Sequence, residues 1–369
     1  KPDAEPAAAP EPSYVPCEEP SCELPSAPPS EPSPADRPAP AAESPVEAPP
    51  RTFGSRIDPA EDGLPDVVCF SIVEWEFLYQ RPQQLLSRLA DLGHRVFYVS
   101  QFFDSAPGEP ALHRIRPRVY ALRLRGSARH LFSEALPTDE ADALFESLTA
   151  LRGRAGIASA VSVVQQPFWW PLAERARGAF GWRVLYDCMD DHEEFLTNTR
   201  PLAALERSIR DGADALVASS RRLDRRLRAA GRSVTLLPNG CDVDYFSTVG
   251  PCPRGGRPVV GYYGCIADWF DTDLVADLAE RRPDWDFHLI GPTYLADLSR
   301  LPALPNVSFG GFVPYGRLVE RIDPLRAFLL PFRRTPLTEA ANPVKAYEIM
   351  ATGRPLVSVA LPELEPFGD

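Results

Sequence analysis

The stretch Glu339–Val357, EAANPVKAYEIMATGRPLV, puts a cation where helix chemistry disfavours one. Asn342 followed by Pro343 reads as a helix start, with Asn as the N-cap and Pro at the first helical position. Lys345 then falls at the third helical position, where unpaired N–H groups and the positive end of the dipole favour an acid. An amide-rich helix tip with a lysine beside it suits an anion from outside the chain, such as a diphosphate. The competing account pairs Lys345 with Glu348 three residues on, a surface pair of about 0.2–0.5 kcal/mol in its less favourable polarity. Glu348 can also accept two hydroxyls of a ribose, as acidic residues do in dinucleotide folds.

Other stretches carry groups that could bind. Arg81, Gln83 and Gln84 open the first helix, in RPQQ, and their donors could hold a phosphate or sugar hydroxyls or form a solvated first turn. Trp75, just before them, could stack on a sugar face or pack between loops. YDCMDDHEEF at 186–195 gathers carboxylates, which hard cations favour. Acceptor binding or loop capping competes with a metal there, and Asp190 and Asp191 are the acceptor-side candidates. Asp268 in GCIADWFD follows a strand end and either faces a cleft or caps a helix. No basic residue stands between Arg257 and Arg281, so positive charge for an anion falls to Lys345 and to Arg81 or Arg333. QQPFWWPL at 165–172 is either an aromatic binding loop or core. SRRLDRRLRAAGR at 220–232 is either a solvated basic helix or a contact for anionic lipid. None of the five histidines has a spacing that identifies a base.

These residues sit between alternating strands and helices. DVVCFSI at 66–72 is a short apolar run of the kind a buried strand needs, and Pro82 opens a helix with Leu85, Leu89 and Leu92 on one face. Gly93 stops that helix, and RVFYVS at 95–100 is the next strand. Strand, helix, strand with short connections predicts a parallel sheet with right-handed crossovers. The alternation resumes at 159–165, 183–187, 201–211, 215–219, 220–230 and 234–238. A second α/β series follows the Pro/Gly-rich PCPRGGRP at 251–258: PVVGYYG, DTDLVADLAERR, DFHLIG, NVSFGG, YGRLVERI, AFLLPF, NPVKAYEIMATG and PLVSVA. Two doubly wound halves joined near 240–256 imply a cleft, with ligands beyond the strand C-termini.

LLPNGCDVDYF at 236–246, taken alone, is a strand and a turn. With GYYGCIADWFDTDLVADLAERRPDWDFHLIGP at 261–292, PNVSFGGFVPYGRLVERI at 305–322 and the Glu339–Val357 stretch, it resembles the retaining glycosyltransferases of the GT-B fold, over roughly residues 66–360. More narrowly, EWEFLYQRPQQLLSRLA and NPVKAYEIMATGRPLVS resemble a bacterial envelope-polysaccharide subgroup that includes teichuronic acid synthesis. The resemblance implies two Rossmann-like domains facing a cleft: an acceptor-side domain over 61–245 and a nucleotide-sugar domain over 255–369 that stops before the helix that usually crosses back. It implies a donor site at Asn342 and Pro343, with Gly264 and Asp268 after the first strand of that domain and Phe312 and Val313 facing the base. Lys345, Glu348 and Arg81 take the catalytic roles, and Trp75, Gln83, Gln84, Asp190 and Asp191 the acceptor side. In the group's E-x7-E element Glu348 matches the second Glu; Ala340 stands at the first, with Glu339 one step off, as the residue that could serve. Arg81-Pro82-Gln83-Gln84 replaces the Gly-Gly pair common in the superfamily. The implied activity needs no metal and no resident cofactor, with a nucleotide diphosphate sugar as donor and a glycan or lipid-linked acceptor. A sugar-nucleotide 2-epimerase and a non-catalytic scaffold of polysaccharide assembly are the alternatives.

Composition limits the rest. Sixteen of the 42 prolines and a net charge of −8 fall in the first 50 residues, leaving about −4 for the remainder. With few large apolar residues, residues 1–60 cannot offset their ordering entropy and are expected to be disordered. The folded part is not basic, which argues against a nucleic-acid partner. No run of 18 apolar residues and no secretory signal is visible. The seven scattered cysteines suit free thiols in a reducing, cytoplasmic setting, with peripheral contact at the inner membrane face as an extension.

Overall fold

The computed structural model describes residues 56–105, 109–126, 136–194 and 200–368. The expected disordered segment therefore lies, up to residue 55, outside the described residues. From residue 56 the chain already runs along the first sheet: Ile57 packs on its core, and the Asp58 carboxylate accepts from the Arg118 N–H at 2.8 Å.

The first sheet begins with β1 (Asp66–Phe70), buried at every position as a parallel strand covered on both faces must be. It continues through α1 (Arg81–Asp91), β2 (Val96–Val99), β3 (Ala111–Arg116), β4 (Val119–Arg123), α2 (Thr138–Ala155) and β5 (Ala160–Val164). Then come α3 (Trp170–Phe180), β6 (Arg183–Cys188), α4 (Arg200–Gly212), β7 (Ala215–Ala218), α5 (Arg221–Ala229) and β8 (Thr235–Leu236). The order across the sheet is β3-β4-β2-β1-β5-β6-β7-β8, parallel except for the β3–β4 pair. The chain reverses direction across the sheet beside β1, which places a crevice beyond the C-terminal ends of β1 and β5. Phe168, Trp169 and Trp170 are all buried in the core of this sheet, so the aromatic loop is packing; the Trp169 indole N–H donates to the Ser71 carbonyl at 2.9 Å.

After α6 (Val243–Phe246) the second sheet is built from β9 (Val259–Tyr263), α7 (Thr272–Arg281), β10 (Asp286–Ile290), β11 (Val307–Gly311), α8 (Leu318–Ile322) and β12 (Ala327–Leu330). It ends with α9 (Pro336–Ala340), α10 (Val344–Ala351) and β13 (Leu356–Ser358). Its order, β11-β10-β9-β12-β13, is all parallel and turns back at β9. Both sheets belong to one compact unit. Among the described residues no helix is long and apolar enough to cross a membrane.

Candidate functional site

Between the two sheets lies a cleft of about 260 Å³, lined on one side by residues 75–80 after β1 and on the other by the ends of β9 to β11 and the start of α10. Its floor requires glycine twice. Gly264, just past β9, has φ +126, and a Cβ there would come within 1.9 Å of the Lys345 Cε. Gly291, just past β10, has φ +142, and its Cβ would come within 2.0 Å of the Gly264 carbonyl oxygen. Only a residue without a side chain lets the two strand ends approach this closely and leaves Lys345 room to lie over them.

The helix start differs from expectation by one residue. Pro343, at φ −72 and ψ 111, is the N-cap of α10, so Val344 is the first helical residue and Lys345 the second. Asn342 cannot cap because its side chain is bound elsewhere. Its Oδ1 accepts from the Asn239 N–H at 3.0 Å, and its Nδ2 donates to the Glu363 carboxylate at 3.1 Å and the Tyr347 hydroxyl at 3.2 Å. Proline offers no side-chain acceptor, and the first turn holds no acid, so the amide tip is left without a side-chain cap. No carboxylate of the described residues lies within ion-pair distance of Lys345; burial pulls its pKa down, while Glu348 and Cys265 push it up. A half-buried cation beside an uncapped helix tip is left open to an anion from outside the chain. Asn342 and Pro343 themselves do not line the cleft, whereas Val344, Lys345 and Glu348 do.

Glu348, 2% exposed, accepts from the Tyr263 hydroxyl at 3.0 Å. Burial pushes its pKa from 4.5 up to about 7, against the opposing pull of Lys345 and Tyr263. The folded chain thus holds a proton that the unfolded chain has released, so stability falls as pH rises from about 4.5 to about 7 and is level above. Between about pH 5 and pH 8 the urea midpoint of the wild type is expected to fall relative to that of Glu348→Gln. Parallel curves would show that Glu348 titrates like an exposed acid.

Arg81, expected to act on substrate, is instead a buried strut. Its guanidinium binds both oxygens of Asp187 at 2.8–3.1 Å, the Leu237 carbonyl at 2.8 Å and the Asn239 Oδ1 at 3.1 Å. With its side chain 1% exposed, it has no face for a ligand. Asn239 passes the connection on to Asn342, and the Glu363 carboxylate that holds Asn342 also accepts the Arg221 N–H at 2.8 Å, at the start of α5. Asp187, Arg81, Asn239, Asn342 and Glu363 therefore form one polar chain from β6 through the inter-sheet linker to the foot of α10 and back to α5.

Several other candidates are committed inside the protein. Gln83 is fully buried; its Oε1 accepts from the Gln80 N–H at 2.9 Å, and its Nε2 donates to the carbonyls of Trp75 and Leu78 at 3.1 and 2.8 Å. It shapes the 75–80 loop and does not face an acceptor. Trp75 packs edge-on against Tyr98, with centroids 5.1 Å apart, and is 7% exposed, although it borders the cleft. Gln84 reaches the Tyr315 hydroxyl across the cleft at 3.4 Å. Asp191 pairs with Arg226 at 2.6 Å, and Arg226 also binds Glu206. Asp190 is half-buried, and burial pushes its pKa up to about 6, Arg81 opposing and Asp187 and Asp191 adding to the rise. Glu339 is paired with Arg222 at 3.2 Å and Arg334 at 2.9 Å, outside the cleft lining, so it does not stand in for the missing first Glu. Arg333 faces Asp273 at 3.5 Å and Asp271 at 3.8 Å. Asp268 is half-buried outside the lining, and the cap of α7 is Asp271, which accepts from the Leu274 N–H. In α5, Arg222, Arg226 and Arg228 are all paired with acids of the chain.

Phe312 and Val313 line the cleft. Joining them are residues that sequence reasoning did not single out: Phe77, Tyr79, Tyr263, Gly291 and Tyr315. The aromatic alternation in EWEFLYQ was the available signal for the first two.

No family model matches the chain. It is 28% identical over 206 residues to a Bacillus subtilis (strain 168) protein named as a teichuronic acid biosynthesis glycosyltransferase, TuaH. That alignment covers 50% of this chain and 52% of TuaH, so the chain spans about half the length of the curated relative it matches. Among solved structures it is similar to sucrose-phosphate synthase from Thermosynechococcus elongatus, with a TM-score of 0.63, 18% identity and coverage of 82% of this chain and 83% of that one. It is also similar to Anabaena HepE in complex with UDP and glucose, with a TM-score of 0.58, 13% identity and 82% coverage of each chain. The fold is GT-B: two Rossmann-like sheets facing a cleft.

Proposed function

We propose that the chain is a glycosyltransferase that moves a sugar from a nucleotide diphosphate donor to a glycan or lipid-linked acceptor, with retained configuration, in envelope polysaccharide synthesis. One observation carries this reading: Lys345 lies over Gly264 without a carboxylate partner, at the uncapped tip of α10, in a cleft it shares with Glu348. A diphosphate at that tip meets the Lys345 ammonium and the first-turn N–H groups, and Glu348 accepts ribose hydroxyls. As the glycosidic bond to the donor breaks, charge grows on the leaving diphosphate. The same fixed groups answer it without reorganising, which requires neither a covalent nucleophile nor a resident cofactor. Asp190, just past the C-terminal end of β6 and with its pKa pushed by burial up to about 6, is the acceptor-side candidate. Support also comes from the TuaH similarity and from HepE, whose structure holds UDP and glucose.

A thermal-shift screen over nucleotide sugars tests the reading. A ligand at about a hundred times its Kd adds about 2.7 kcal/mol of apparent stability, roughly 3–5 °C for a chain of this size. One nucleotide sugar is expected to stand out, and NMR of the product with that donor should show the donor's anomeric configuration. A flat screen across all bases would remove the nucleotide from the cleft.

A further inference from the structure

The cleft mouth carries two aromatic pairs, each with one ring from either side. Tyr79 and Tyr315 are in direct face contact, with centroids 3.9 Å apart and planes within 16°. Two residues earlier, Phe77 faces Phe312 with planes within 4° but centroids 6.4 Å apart. The same two segments thus bring one pair into contact and hold the next parallel, with its centroids further apart.

Phe77 is not loosely placed. Its own N–H donates to the Glu74 carbonyl at 3.2 Å, the Gln83 amide grips the carbonyls of Trp75 and Leu78 on either side, and the Tyr79 hydroxyl bonds Ser87 at 3.0 Å. On this pinned loop the Phe77 ring is 42% exposed, an apolar surface presented at a fixed angle. An exposed flat ring on a fixed loop, lining the cleft with a second ring parallel to it, suits a flat partner that can stack on its face.

We infer that Phe77, from the first sheet's side, is a stacking platform for the donor's nucleobase, acting with Phe312 from the other side. This rests on the nucleotide reading of the cleft. The base of a nucleotide anchored by its diphosphate at Lys345 is then shared by both halves of the protein. Stacking reads the π-face that every base has, so Phe77 contributes affinity with little choice among bases.

Calorimetry on the full chain with UDP, ADP, GDP and inorganic pyrophosphate tests the assignment. Phe77→Ala is expected to weaken whichever nucleotides bind by roughly 5- to 100-fold, by a similar factor for each. Pyrophosphate affinity should stay within about twofold, which also reports an intact cleft, and Phe77→Trp should restore nucleotide binding. Nucleotide affinities unchanged in Phe77→Ala overturn the stacking role alone. A wild-type chain that binds no nucleotide overturns the nucleotide reading, and this role with it.

Discussion

Replacing Lys345 with alanine is expected to lower turnover of the proposed transfer by about 100- to 1,000-fold while the fold persists, the range seen when one preorganised donor to a developing anion is removed. The loss should fall mainly on kcat, because the charge Lys345 answers is larger on the departing diphosphate than on the bound donor. Lys345→Met, which keeps an aliphatic stem over Gly264, separates charge from packing: it should be as inactive as the alanine variant and as stable as the wild type. Turnover within about threefold of wild type in either variant would sink the role. Arginine is not a neutral exchange here, since a planar guanidinium needs more room than the ammonium that now lies against the glycine floor.

Arg81→Leu is expected to lower stability by about 3–5 kcal/mol, because it strands the Asp187 carboxylate in a buried setting with its cation gone. Urea denaturation gives the number, and the double variant Arg81→Leu with Asp187→Asn should recover part of it, as removal of both charges leaves no bare ion. A single variant within about 1 kcal/mol of wild type would show that water replaces the guanidinium without penalty. The carbonyls of Leu237 and Pro238 and the Asn239 amide lose the same partner, so the variant should also loosen the linker between the sheets.

The fold was legible because its signals are local. Runs such as DVVCF and VVGYY need only five consecutive residues to declare buried parallel strands, and Gly93 marks a helix end within one turn. The β3–β4 hairpin was not read, since Arg114, Arg116, Arg118 and Arg123 break the apolar alternation at a sheet edge where charge is tolerated. Within the site, Lys345, Glu348, Gly264, Phe312 and Val313 were found from the helix start and the resemblance, and all line the cleft. The failures share a cause. Arg81 and Asn342 carry the right chemistry for a ligand, but the partners of Arg81 stand 106 to 158 residues away, and those of Asn342 include Asn239 at 103 and Glu363 at 21, beyond any local pattern. Asn-Pro reads as a cap by local statistics, yet the asparagine amide is claimed by Asn239 and Glu363, and the cap passes to the proline.

The Asn342 side chain touches both the linker, at Asn239, and the acid that grips α5, at Glu363. Besides the Gln84–Tyr315 and Arg222–Glu339 contacts, the two lobes are therefore joined at two points that meet within reach of a single amide. Any rotation that preserves them has its pivot beside Asn342, next to the tip of α10. The anchor of the anion would stay nearly still during such a swing.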